Sequence, residues 1–164
     1  MKVTIDGQEI EVEAGTTILQ AARMIGGESV PPAMCYYSKL KGTGGKCRCC
    51  LVDVTKGSEA DPRPMPKLVA SCVTGCQDGM EIASKSSERV TEARKAVTEF
   101  LLINHPLDCP VCDQAGECDL QNLSFEHGKS ETRFIEEKRT FEPEDIGDKI
   151  QLHMNRCIVC QRCV

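Results

Sequence analysis

The 164-residue chain contains no tryptophan, two tyrosines and four phenylalanines. Large aromatic rings fill much of an ordinary core, so their scarcity predicts small, thinly packed units. Units of that size usually draw stability from disulfides, metals or partners. Also missing is any apolar run near the roughly 18 residues that a membrane-spanning helix needs. The opening stretch, MKVTIDGQEIEV, is charged and alternating and lacks the apolar segment of a secretory signal. No G-x-G-x-x-G fingerprint occurs, so a dinucleotide is expected to bind elsewhere. Positive charge is not in excess: the formal net charge of −5 argues against a nucleic-acid binder.

Against these absences stand twelve cysteines. Without a secretory signal the chain is expected in a reducing compartment. Clustered cysteines there serve metal or redox chemistry rather than disulfides.

Residues 2–12 alternate polar and apolar around Asp6-Gly7, which predicts a hairpin. A helix is expected next, capped by Thr16 or Thr17, with Ile18, Ala21, Ala22 and Ile25 on one face and Gly26 at its end. Residues 51–54, LVDV, read as a strand and residues 55–67 as a polar, proline-rich loop. KLVAS leads into Cys72, and MEIAS (80–84) reads as the last strand of a small α+β sheet domain. Residues 87–104 form the clearest helical pattern, with Val90, Ala93, Val97, Phe100 and Leu101 at helical spacing. The pattern stops before Pro106 and leaves His105 at the helix end. Residues 119–128 are ambiguous. Residues 128–149 mix five basic with seven acidic side chains and read as an exposed linker.

The cysteines fall into three constellations. Cys35, Cys47, Cys50 and Cys72 surround a loop holding Gly42, Gly44 and Gly45. A [2Fe–2S] cluster needs four thiolates, and glycines let backbone N–H groups approach the sulfurs. A zinc knuckle usually has two C-x2-C pairs, and only one occurs here. Cys49 and Cys76 are read as spare, small buried residues, with Cys72 taken over Cys76 as the fourth ligand. The second set, H-x3-C-x2-C-x5-C, is His105, Cys109, Cys112 and Cys118. Four such ligands close one tetrahedral zinc site or one [4Fe–4S] cubane. Pro106 and Pro110 stiffen the turn. Imidazole in place of a thiolate removes a negative charge, a change that raises the potential of Rieske centres. His127 and His153 are read as ordinary surface or packed residues. The third set, Cys157, Cys160 and Cys163, has the C-x2-C-x2-C spacing of three cubane ligands. A fourth ligand is not within the 164 residues, so the chain is expected to be a fragment or to take that ligand from another segment.

FLLINHPLDCPVCDQAGECDLQN, CRCCLVDV, VASC and MNRCIVCQRCV together resemble the N-terminal part of the large peripheral-arm iron–sulfur subunit family of respiratory complex I. The match runs in order over essentially the whole chain. The resemblance implies a β-grasp [2Fe–2S] ferredoxin-like domain over 1–84, with Cys35, Cys47, Cys50 and Cys72 as ligands. It implies a small helical [4Fe–4S] domain over 85–127 held by His105, Cys109, Cys112 and Cys118. A linker over 128–149 and the start of a ferredoxin-type [4Fe–4S] domain over 150–164 follow. Cys157, Cys160 and Cys163 would be three of that site's ligands, the fourth lying far downstream in the family beside a molybdopterin-oxidoreductase-like domain. The loop from Cys35 to Cys47 is one residue longer than the family's usual one, and the loop from Thr55 to Lys67 is also longer.

Such a protein relays electrons one at a time from a flavin on another subunit toward quinone, with no side chain acting as acid, base or nucleophile. The partners implied are other peripheral-arm subunits, including the flavin-bearing one. The implied place is the cytoplasmic face of the inner membrane, or the matrix face in a mitochondrion, with the membrane reached only through the complex. Related modules of NAD-linked hydrogenases and formate dehydrogenases share the first two sites. A zinc-stabilised interaction module is the alternative of another class.

Overall fold

Val3, Ile5, Ile10 and Val12 fall near alternate positions, the period that a half-buried strand requires. In the computed structural model, which describes residues 1–163, they belong to the hairpin of β1 (Lys2–Ile5) and β2 (Gln8–Glu11) or follow it directly. Asp6 and Gly7 turn the chain with φ of 47° and 81°, the left-handed pair that suits a right-twisted hairpin. Helix α1 (Ile18–Ile25) then starts at a capping box. The Thr17 hydroxyl accepts from Gln20 N–H, and the Gln20 side chain accepts from Thr17 N–H. Gly26, at φ 80°, ends it.

Three more strands complete the sheet: β3 (Leu51–Lys56), β4 (Val69–Ala70) and β5 (Met80–Ala83). Their order is β2-β1-β5-β3-β4, with β5 parallel to β1 and the other pairings antiparallel. Strand β3 runs two residues past the expected LVDV, through a register shift between Val54 and Lys56. One face of this mixed sheet buries Val3, Ile5, Val52, Val54, Met80 and Ile82 against Ile18, Ala21 and Ala22 of α1. The small alanines let the helix lie close to the strands. This is the α+β arrangement expected from the sequence.

Helix α2 (Glu88–Leu102) stands where the pattern predicts, but its buried stripe is different. Phe100 is 73% exposed, whereas Val90, Arg94 and Thr98, spaced by four, are buried. Two of these three are polar, and the Thr98 hydroxyl satisfies itself on the Arg94 carbonyl at 2.9 Å. The ambiguous stretch after Cys118 is a helix, α3 (Asp119–His127), which packs against α2.

Residues 128–149 are mostly exposed, as expected, yet they are tied down. Lys138 Nζ donates to the carbonyls of Leu102, Ile103 and His105 at 2.8, 3.0 and 2.9 Å. A helix C-terminus leaves its last carbonyls without partners, and one lysine serves these. Arg133 pairs with Glu99 at 2.6 Å. A short hairpin, β6 (Glu144–Asp145) and β7 (Gln151–Leu152), follows. Among the described residues no helix is long and apolar enough to cross a membrane.

Asp6 fastens the hairpin to the start of α2. Its carboxylate accepts from the amides of Ser84, Lys85 and Ser86 at 2.8, 3.1 and 3.2 Å, and from the Ser86 hydroxyl at 2.6 Å. Partial burial pushes its pKa up, but these donors outweigh that and hold it below the ordinary 3.8. The resulting stability is complete above the unfolded value and disappears as pH falls through the folded one. Asp6→Asn, which keeps the left-handed turn, is expected to destabilise by about 1 kcal/mol at neutral pH, a figure reduced by solvent access. Urea unfolding of both proteins checks this, and the gap should narrow below about pH 4.

Candidate metal centres

The loop of the first constellation is bent by its glycines. Gly44 and Gly45 have φ of 113° and 70°, and a Cβ on Gly44 would stand 3.1 Å from Val73 Cγ1 and 3.4 Å from Cys72 Sγ. The bare backbone lets Gly45 N–H donate to Cys72 Sγ at 3.1 Å. The amides of Lys46 and Cys47 donate to Cys35 Sγ at 3.3 and 3.4 Å. The sulfurs of Cys50 and Cys72 are 3.3 Å apart. From the far side, the first amides of α1 hold the Cys72 loop: Ile18 N–H donates to the Thr74 carbonyl at 2.9 Å and Leu19 N–H to that of Ser71 at 3.0 Å. Helix N-termini have such amides to spare.

All four cysteines are buried. Burial pushes the Cys35 thiol up. Cys72 is pushed up by its hydrogen bond with Cys50, and further by burial. Two others fall: Cys47 to about 5, chiefly through its hydrogen bond with Cys49, and Cys50 to about 6, chiefly through that with Cys72. A metal centre takes over the role of the thiol protons. Four buried thiols with amide donors on two sulfurs fit the demands of a two-iron cluster.

The two remaining cysteines of this region have different surroundings. Cys76 sits in the sheet core with Val3, Ile18 and Met80, and its pKa is raised by burial alone. Cys49 stays beside two of the four, in an apolar cluster with Cys35, Cys47, Met34, Leu120 and Leu123. Arg48, at φ 63°, reverses the chain between Cys47 and Cys49.

The second constellation lies between α2 and α3. Cys109 opens a 3-10 turn, Cys109–Val111, and Cys112 N–H closes it on the Cys109 carbonyl at 3.2 Å. Cys118 is the N-cap residue of α3. All three are partly exposed. His105 is half-buried just past α2. Burial lowers its pKa; Asp108 opposes this, and Lys138 and Arg156 reinforce it. Its ring is neutral near pH 7, the form that can ligate a metal. Three sulfurs and a neutral imidazole fit a cubane or a zinc ion in donor chemistry. Among the described residues no three His, Cys, Asp or Glu side chains converge closely enough to hold a single metal ion.

The third constellation is a loop with Val159 and Gln161 at φ of 54° and 60°. A branched residue in that region is strained, and the turn lets Val159 N–H reach Cys157 Sγ at 3.4 Å. Arg156 ties this segment to the second site through Asp108 at 2.7 Å. An open cleft of about 990 Å³ is lined by Cys47, His105 and Cys157, one residue from each constellation, together with Phe100, Met154 and Ile158.

Sequence reasoning passed over two side chains. Ser71 Oγ is buried without an oxygen or nitrogen partner and lies against the Cys50 sulfur. Arg94 is buried behind the same segment. The only signal for Arg94 was its place four residues after Val90 and four before Thr98.

Residues 1–87 match the family model of the 2Fe-2S iron-sulfur cluster binding domain. The chain belongs to that 2Fe-2S family. Beyond the 2Fe-2S domain, residues 94–133 match the NADH-ubiquinone oxidoreductase-G iron-sulfur binding region. The chain is 49% identical over 166 residues to the mitochondrial NADH-ubiquinone oxidoreductase 78 kDa subunit of Candida albicans, covering all of this chain and 21% of that protein. It is 48% identical over 164 residues to an NADH-quinone oxidoreductase subunit of Rickettsia bellii, covering all of this chain and 22% of the relative. The chain thus spans about a fifth of the length of these relatives. Among solved structures, the NAD+-reducing [NiFe]-hydrogenase in the H2-reduced state is similar with a TM-score of 0.83 and 31% identity, over 99% of this chain and 64% of that one. The family resemblance drawn from the cysteine motifs stands.

The reading of the first region gives four of its six cysteines to the cluster and leaves Cys49 and Cys76 to packing. In anaerobically prepared protein, Cys49→Ala and Cys76→Ala are expected to leave the two-iron visible and EPR spectra unchanged, at a stability cost of about 1 kcal/mol each. Cys72→Ala is expected to abolish those spectra.

Proposed function

We propose that this chain is the iron–sulfur relay segment of an NADH:quinone oxidoreductase, moving electrons singly from a flavin on a neighbouring subunit toward quinone. Cys35, Cys47, Cys50 and Cys72 would hold a [2Fe–2S] cluster. His105, Cys109, Cys112 and Cys118 would hold a [4Fe–4S] cluster. Cys157, Cys160 and Cys163 would supply three ligands of another. When bound, such clusters supply one-electron valence changes of iron. The chain's own residues do the remaining work. Thiols of the first loop are buried, the amides of Gly45, Lys46 and Cys47 donate to two of their sulfurs, and α1 fixes the Cys72 loop. The observation that carries the reading is that all four thiols are buried around the glycine loop, with amide donors on the sulfurs of Cys35 and Cys72.

The assembly is expected to sit on the cytoplasmic or matrix face of the membrane, with other peripheral-arm subunits around it. A relay subunit of an NAD-linked hydrogenase is the second reading, favoured by the 0.83 TM-score to the NAD+-reducing [NiFe]-hydrogenase. Identity of 48–49% to the quinone oxidoreductase subunits, against 31% to the hydrogenase, supports the first.

Iron, zinc and acid-labile sulfide analysis of anaerobic protein tests the proposal. Iron and sulfide together, with a two-iron EPR signal after dithionite, are expected; zinc without sulfide would overturn it in favour of a structural module. His105→Ala is expected to lower iron content while sparing the two-iron signal. His105→Cys is expected to keep the cubane and lower its potential, because a charged thiolate replaces a neutral ring. Iron content unaltered in His105→Ala would remove that residue from the ligand set.

A further inference from the structure

Arg94 carries a permanent charge into the interior: it is 6% exposed. Its Nη2 donates to the Leu51 carbonyl at 3.1 Å and to Ser84 Oγ at 3.0 Å, and its Nε has no partner. Neither acceptor is charged. Leu51 directly follows Cys50, so the guanidinium is bonded to the backbone of the first constellation. On the opposite side, Ser84 N–H donates to the Asp6 carboxylate at 2.8 Å. The buried cation therefore lies between the Cys50 segment and one carboxylate that is already saturated by other donors. Burial lowers the Arg94 pKa, while Asp6, Cys50 and Cys49 oppose that, which agrees with those groups facing its charge.

We propose that Arg94 is a positioning residue that raises the reduction potential of the centre held by Cys35, Cys47, Cys50 and Cys72, with Asp6 as its counterweight. The inference rests on the assignment of a [2Fe–2S] cluster to those four cysteines. Reduction adds one electron to an anionic site, turns one ferric ion ferrous, and needs no proton or new bond. A fixed positive charge in a low-dielectric interior stabilises the extra negative charge; a fixed carboxylate does the reverse. Arg94 is also the first residue of the 94–133 match, outside the 1–87 match to the 2Fe-2S domain. The charge that tunes the first centre is thus supplied by the region that follows it.

The test is a dithionite redox titration of the anaerobically prepared, cluster-loaded chain, followed by the two-iron EPR signal. Arg94→Gln is expected to lower the equilibrium constant for reduction at least tenfold, about 59 mV for one electron. Arg94→Lys should restore most of that loss. Asp6→Asn should move the potential the other way. The potential of the second cluster should stay in place in all three. If Arg94→Gln keeps its two-iron signal and its potential, Arg94 is only structural and the proposal fails. If Arg94→Gln cannot hold the cluster, Asp6→Asn decides: a positive shift supports the proposal and no shift overturns it. A wild-type chain with no two-iron signal would instead overturn the cluster assignment, and this inference with it.

Discussion

One apolar cluster joins the three cysteine constellations. Met34, Cys35, Cys47 and Cys49 from the first loop meet Leu120 and Leu123 of α3, and Cys118, Ile158 and Cys160 pack against them. Protein interiors are packed to near-crystalline density, so this contact fixes distances among the three loops as firmly as a sheet fixes its strands. Each loop is poor in regular structure and could not hold a spacing alone. The sheet and α1 position only the first loop. The second and third are positioned relative to it by α2, α3 and the Arg156–Asp108 pair. An electron relay, the function proposed, has no more basic requirement than fixed separations, and packing rather than a long scaffold would meet it.

The charges around the loops follow a common sense of sign. The chain as a whole is acidic, with 25 acidic and 20 basic side chains. Yet backbone amides and cations approach the constellations: Arg94 behind Cys50, Lys138 on the His105 carbonyl, and Arg156 beside Cys112, where it also pairs with Asp108, an acid that faces His105. The acidic excess lies on the outer surface, where solvent screens it.

Much of the fold was legible because it is written in short-range chemistry. The hairpin follows from Asp6-Gly7 and period-two alternation, and α1 from Thr17 and Gln20, which close a capping box. The β3 bulge had no such signal, since it arises from pairing with β5 and not from local preference. Phe100 shows the limit of periodicity: it lies at helical spacing with Val97 and Leu101, but its side of α2 lines the open cleft. Arg94 and Thr98 were hidden for the opposite reason, as polar residues that become buried only because Leu51, Ser84 and the helix's own carbonyls accept their hydrogen bonds. For the candidate sites, spacing alone put Cys47 and Cys50 on one loop. The separation of Cys72 from Cys76 required the third dimension: the amides of α1 pull one loop toward Cys50, while Cys76 packs into the sheet core.

Within the first loop, folding and metal loading pull on the same groups. The sulfurs of Cys50 and Cys72 are buried 3.3 Å apart, and the hydrogen bonds around Cys47 and Cys50 lower their pKa values and so favour thiolate. Burying such charge is costly unless it is neutralised. The amides of Gly45, Lys46 and Cys47 offset part of that cost, and Arg94 supplies a distant countercharge. The unfolded chain avoids the penalty by solvating each thiol separately. Loading therefore removes a destabilising term that the fold itself created, and binding free energy becomes folding free energy at this loop. A chain with no tryptophan and a core of valines, isoleucines and alanines has little hydrophobic reserve to absorb that term by other means.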